Sequence, residues 1–91
     1  MDFEEYQKRA AETAFFPEDS ECPFLGLAGE AGEVCEARKK MIRDNDTQKI
    51  HDLFEELGDV LWYVAIICNR FGWNLKEVAS HNIDKLQNRH G

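Results

Sequence analysis

Two pairs of acids, Glu30/Glu33 and Glu56/Asp59, are each written acid-x-x-acid. On an α-helix, residues three apart share a face with their Cβ atoms roughly 5–6 Å apart, so each pair can aim two carboxylates at one object. Two such helices facing each other gather four carboxylates around one space. Left uncompensated, that charge repels itself and raises the pKa of at least one member. A hard divalent cation relieves the repulsion, and Mg²⁺ prefers oxygen ligands of this kind.

The alternative is a solvated face, since glutamate is a good helix former and the chain has eighteen acids. Three features favour a metal. Both pairs border apolar stripes, each is interleaved with glycine (GEAGE and EELGD), and each lies mid-helix rather than at an N-terminus, where the dipole favours acids. An all-carboxylate set suits Mg²⁺, with Mn²⁺ as a substitute, better than Zn²⁺, which wants histidine or cysteine. A di-iron carboxylate bundle requires Glu-x-x-His. Here His51, His81 and His90 are preceded three residues earlier by Gln48, Val78 and Gln87, so the histidines are assigned to helix surfaces.

The elements that must position these acids are all helical. Asp2 is placed to cap a first helix reaching Phe16, with Phe3, Tyr6, Ala10 and Ala14 on one side, and Pro17 ends it. FPEDSECP is a loop whose acids are read as solvated. A second helix runs from about Pro23 to Arg43. Its apolar stripe is Phe24, Leu27, Ala31, Val34, Cys35, Met41 and Ile42, and a column of Gly26, Glu30, Glu33, Ala37 and Lys40 lies along the stripe's edge. Gly26, Gly29 and Gly32 each cost a helix about 1 kcal/mol relative to alanine, which points to close approach by another helix or a ligand. RDNDT is a polar turn, with Asp46 or Thr47 capping a third helix that extends to Phe71. Its apolar face includes Ile50, Leu53, Phe54, Leu57, Val60, Leu61, Val64 and Cys68. Glu56, Asp59 and Tyr63 sit beside that face, while Trp62 and Ile66 point away from it, as expected of a helix buried on a second side by another subunit. Gly72 stops this helix. Asn74 with Glu77 starts a fourth, to about Arg89, on which Val78, Asn82, Lys85 and Arg89 align. No segment of strand length alternates, so the fold class is all-α, a four-helix bundle-like protomer that associates through helix packing into a homo-oligomer.

Residues 1–91 are expected to form a single domain with a modest core. With 43% hydrophobic and 32% charged residues and no apolar run approaching ~18 residues, the chain reads as soluble and without a membrane span. A net charge of −7 argues against binding a nucleic-acid polymer, which requires a basic stripe. The cysteines, Cys22, Cys35 and Cys68, show no C-x-x-C spacing, and MDFEEYQKRA lacks the apolar segment of a signal peptide, so the cytoplasm is the expected compartment. Cys35 and Cys68 are read as small buried hydrophobes and Cys22 as a loop residue without a chemical role.

GLAGEAGEVCEARKK, followed by FEELGDVLWYVAIICNRFG and NIDKLQNRHG, resembles the MazG-like branch of the all-α nucleoside triphosphate pyrophosphohydrolases. The hallmark is E-x-x-E, a spacer, E-x-x-D, then Asn-x-x-Lys and often an Arg; the likeness spans about Leu25 to His90. It implies that Glu30, Glu33, Glu56 and Asp59 are Mg²⁺ ligands, that Asn82, Lys85 and Arg89 contact the nucleotide or its phosphates, and that Lys40 is a further phosphate contact. The implied reaction is NTP (or dNTP) + H₂O → NMP + PPi, by attack of metal-activated water on the α-phosphorus, with one of the ligand carboxylates or Glu55 taking the proton. The resemblance also implies dimers or tetramers with sites near subunit contacts. Relatives often continue beyond the Arg, so a base-recognising or lid element there is expected to be either missing or supplied elsewhere. A phosphoribosyl-ATP pyrophosphatase-like activity and a non-catalytic helical interaction module are the competing expectations.

Overall fold

The computed structural model describes residues 1–17 and 19–90, with the backbone alone of Gln48 and His90. Glu18, within the loop read as solvated, and the His90 side chain, read as a surface group, lie outside the described residues. The order is α1 (Phe3–Glu12), α2 (Cys22–Asp44), a 3₁₀ turn (Thr47–Lys49), α3 (Ile50–Phe71) and α4 (Leu75–His90). Among the described residues there is no strand.

Local chemistry sets most boundaries. Asp2 accepts a hydrogen bond from the Glu5 N–H at 2.9 Å, and Glu4 and Glu5 occupy the first turn of α1, where the helix dipole favours acids. α1 is shorter than the expected run to Phe16. The Thr13 N–H and hydroxyl both turn back onto the Ala10 carbonyl, and the residue before Pro17 is disfavoured in helical conformation. Ala14 and Phe16 therefore leave the helix, and Phe16 packs its ring on Trp62 and Tyr63 instead. α2 begins with Pro23 in its first turn, where the missing N–H costs nothing. It ends at Asn45, which adopts φ 48°; the Asn45 and Asp46 N–H groups bond back to the Ile42 and Met41 carbonyls. Gly72 does the same for α3 at φ 70°, with the Trp73 N–H on the Cys68 carbonyl at 2.9 Å. The third helix proper starts after the 3₁₀ turn, so Asp46 precedes that turn and Thr47 opens it, and neither caps α3 itself.

The chain divides into two compact units, Met1–Phe15 with Ala65–Gly91, and Phe16–Val64. In the first, α1 packs on α4, and Ala10, Ala65, Ile66, Cys68 and Leu75 are buried. The buried Gln7 ties this unit together. Its amide nitrogen donates to Asn69 Oδ1 at 2.8 Å and to the Trp73 carbonyl at 2.7 Å, and its amide oxygen accepts from the Leu75 N–H at 2.8 Å. The first N–H of α4 is thus capped from α1, while Asn74 Oδ1 accepts from the next, Lys76 N–H, at 2.8 Å.

In the second unit, α2 runs against the N-terminal part of α3, and here the structure corrects part of the expected core face, of which Phe24, Leu27, Val34 and Met41 are half-buried. Ala31, Cys35 and Ile42 are exposed. The column Gly26, Glu30, Glu33, Ala37 and Lys40, read as an edge, is the face turned to α3. Cys68 is buried as expected and Cys22 is exposed, but Cys35 is not a buried hydrophobe. Trp62 and Ile66 also differ from expectation. Ile66 is only 8% exposed and Trp62 is half-buried against Phe16 and Tyr63, because the chain covers that side of α3 itself. The open apolar side of α3 is instead Ile50, Phe54 and Leu57, at 60%, 75% and 53% exposure.

Candidate metal centre

The contacts between α2 and α3 step in opposite directions along the two helices. Gly26 meets Tyr63, Glu30 meets Asp59 and Glu56, and Ala37 and Lys40 share a cleft with Asp52. This antiparallel register is what brings the two acid pairs together. One carboxylate oxygen each from Glu30, Glu56 and Asp59 lie within 4.8 Å of one another. Glu30 and Glu56 are half-buried and Asp59 is exposed.

Electrostatics agree with the crowding. The Glu56 carboxyl is held above the ordinary carboxylate range, first by its hydrogen bond with Glu30, then by partial burial, then by the negative charges of Glu30, Asp59 and Glu33. A cation among these carboxylates would relieve that crowding. The donor set, oxygen throughout, fits a hard divalent ion and not a soft one.

Glu33 stands outside the trio. It lines a cleft of about 120 Å³ with Glu36, Ala37, Lys40, Asp52, Glu55 and Glu56. Glu56 belongs to both groups and joins them. Lys40 is therefore next to the acids, and Glu55 opens onto the same cleft while receiving a bond from His51 Nε2 at 2.9 Å. Glu36 and Asp52 were not singled out from the sequence. Their signal is the same helical column arithmetic, three residues beyond Glu33 and four before Glu56. Asn82, Lys85 and Arg89 belong to the other unit, all exposed on α4 at positions that share a side of the helix.

Acids from two facing helices converge here, and the regular elements among the described residues are all helical, so the chain is a helical protein with an acid-lined site. A family model described as the MazG nucleotide pyrophosphohydrolase domain matches residues 20–91, and the chain belongs to that family. It is also similar to the Gene 37 protein of Mycobacterium phage L5, 42% identical over 96 residues that span 92% of this chain and 84% of the relative. No solved structure matches at a significant level. Among the described residues, no helix is long and apolar enough to cross a membrane.

Proposed function

We propose that the chain is a Mg²⁺-dependent nucleoside triphosphate pyrophosphohydrolase, converting an NTP or dNTP to the monophosphate and pyrophosphate. The observation that carries this reading is the convergence of Glu30, Glu56 and Asp59 in a chain of the MazG family. With Glu33 from the adjoining cleft, these residues would hold Mg²⁺, or Mn²⁺ in its place. The bound ion supplies charge neutralisation for the triphosphate and a lowered pKa for water.

The chain's own residues do the rest. Water oxygen bonds to the α-phosphorus, the α–β bridging P–O bond breaks, and pyrophosphate carries away the electron pair. Glu55, a carboxylate on the same cleft, takes the water's proton. Lys40, lining that cleft, offers a cation for the polyphosphate, and α4 supplies Asn82, Lys85 and Arg89, lysine as a point charge and arginine as a fork for two phosphate oxygens. A second reading concerns assembly. Ile50, Phe54 and Leu57 present an apolar strip to solvent, and self-association as a dimer or tetramer would cover it.

The test is a nucleotide panel with Mg²⁺, scored for monophosphate and pyrophosphate, with phosphoribosyl-ATP as one member. Release from at least one nucleoside triphosphate is expected, and Glu56→Gln and Asp59→Asn abolish it without unfolding the protein. Full activity in those variants refutes the site. Preference for phosphoribosyl-ATP moves the assignment to that activity, and no turnover together with no thermal shift in Mg²⁺ and nucleotide favours a helical interaction module.

A further inference from the structure

Of the described glycines, Gly26 is the one that a neighbour approaches. A Cβ built there would overlap the Tyr63 ring, whereas at Gly29, Gly32, Gly58 and Gly72 it would meet nothing within 4 Å. The contact is one helical turn from the carboxylate trio on both helices, since Glu30 follows Gly26 by four residues and Tyr63 follows Asp59 by four. Aromatic neighbours flank the ring. Trp62 abuts it edge-on, with centroids 5.0 Å apart at 86°, and Phe16 lies over both rings at 6.0 and 6.4 Å.

We propose that Gly26 and Tyr63 form a spacer that fixes the distance between α2 and α3 at the acids, with Tyr63 as a positioning residue for the cation held by Glu30, Glu56 and Asp59. The inference rests on the metal reading above. A flat ring against a bare backbone lets the helices approach closely at one point, and the Phe16–Trp62 wall keeps the ring there. A methyl group at position 26 must push the ring or α2 outward, and one turn away that displacement moves Glu30 relative to Asp59. Mg²⁺ demands near-ideal octahedral geometry at 2.0–2.1 Å, while Ca²⁺ accepts longer and more irregular coordination. Selectivity between the two ions is therefore the property most sensitive to the spacer.

The experiment measures Mg²⁺ and Ca²⁺ affinities by calorimetry for the wild type, Gly26→Ala, Tyr63→Leu, the double variant and Gly32→Ala, with circular dichroism to confirm folding. Gly26→Ala and Tyr63→Leu should each weaken Mg²⁺ binding by about tenfold, the range in which supporting residues affect metal affinity, and weaken Ca²⁺ binding less. The double variant, in which the new methyl fills the space the ring leaves, should bind Mg²⁺ more tightly than either single variant. Gly32→Ala, which meets open space, should bind like the wild type. Unchanged Mg²⁺/Ca²⁺ selectivity in Tyr63→Leu overturns the proposal even if Gly26→Ala fails to fold, and so does a double variant no better than the worse single. A wild type that binds no divalent cation overturns the metal reading and this inference together; a wild type that binds, beside a Gly26→Ala that binds equally, overturns this inference alone.

Discussion

Replacing Gln7 by Met tests how α4, which carries Asn82, Lys85 and Arg89, is fastened to the N-terminus. The two side chains are close in volume, so packing is nearly conserved and the polar contacts are what is lost. Three bonds disappear, from Gln7 to Asn69, to the Trp73 carbonyl and from the Leu75 N–H. They do not count equally. Asn69 and Trp73 are exposed and their freed groups can turn to water, but Leu75 is only 4% exposed and its N–H is left without an acceptor. A buried unsatisfied donor costs about 1–3 kcal/mol, so the variant should lose about 2 kcal/mol. For a chain of this length that corresponds to a fall in Tm of roughly 8–16 °C. Urea and thermal unfolding measure the loss, and native-state hydrogen exchange locates it, because the Leu75 amide should lose protection before the middle of α4 does. Gln7→Glu is the discriminating partner. It keeps an acceptor for the Leu75 N–H at a helix N-terminus but gives up both donors, and should fall between Met and the wild type. A Gln7→Met protein within about 0.5 kcal/mol of the wild type, the usual spread for inconsequential substitutions, with Leu75 still protected, would refute the reasoning.

Because the Glu56 carboxyl is raised above its ordinary value, the folded chain holds that proton more tightly than the unfolded chain, and the associated stability is present at low pH and lost as pH rises through the folded value. In chelator, Tm should therefore increase on mild acidification from neutral pH; saturating Mg²⁺ or Glu56→Gln should flatten that dependence, as read by thermal scans across pH. The Asp44 carboxyl, held well below the carboxylate range by Arg43 and then Lys49, works in the opposite sense, its contribution present at neutral pH and lost only in strong acid. Phe54→Glu should shift the protein to a smaller species by light scattering if the Ile50–Phe54–Leu57 strip is the self-association face, with secondary structure retained. Cys22 and Cys35 should react with a maleimide in the native monomer while the buried Cys68, whose thiol burial pushes up, reacts only after denaturation, as mass spectrometry would count.

What could be read from the sequence follows the range of the interaction that decides each feature. The Asp2 cap, the RDNDT turn, the Gly72 stop and the Asn74 start depend on residues a few positions away, and all are legible as local chemistry. Local pattern alone carries Phe16 into α1, because its alternative, the packing against Trp62 and Tyr63, lies some forty-six residues along the chain. Gln7 was invisible for the same reason: its partners are 62 to 68 residues away, and nothing in FEEYQKR distinguishes it from a surface glutamine.

α2 shows why an acid column can be identified correctly while its face is misjudged. Its apolar residues are spread around the helix, and choosing the stripe with the most of them puts Ala31, Cys35 and Ile42 inside, where they are not. The face that meets α3 carries Gly26, Glu30, Ala37 and Lys40. It is chosen by fit, with Gly26 admitting the Tyr63 ring at one end and Lys40 sharing the cleft with Asp52 at the other. Between them lie Glu30 and Glu33, which packing alone would keep apart from Glu56 and Asp59. A helix pair that places its acids in its own contact, and leaves Phe54 and Leu57 outside it, gives up apolar burial at the point where it concentrates negative charge. That arrangement is unfavourable for the isolated chain, and a cation held by Glu30, Glu56 and Asp59, as proposed above, would offset it.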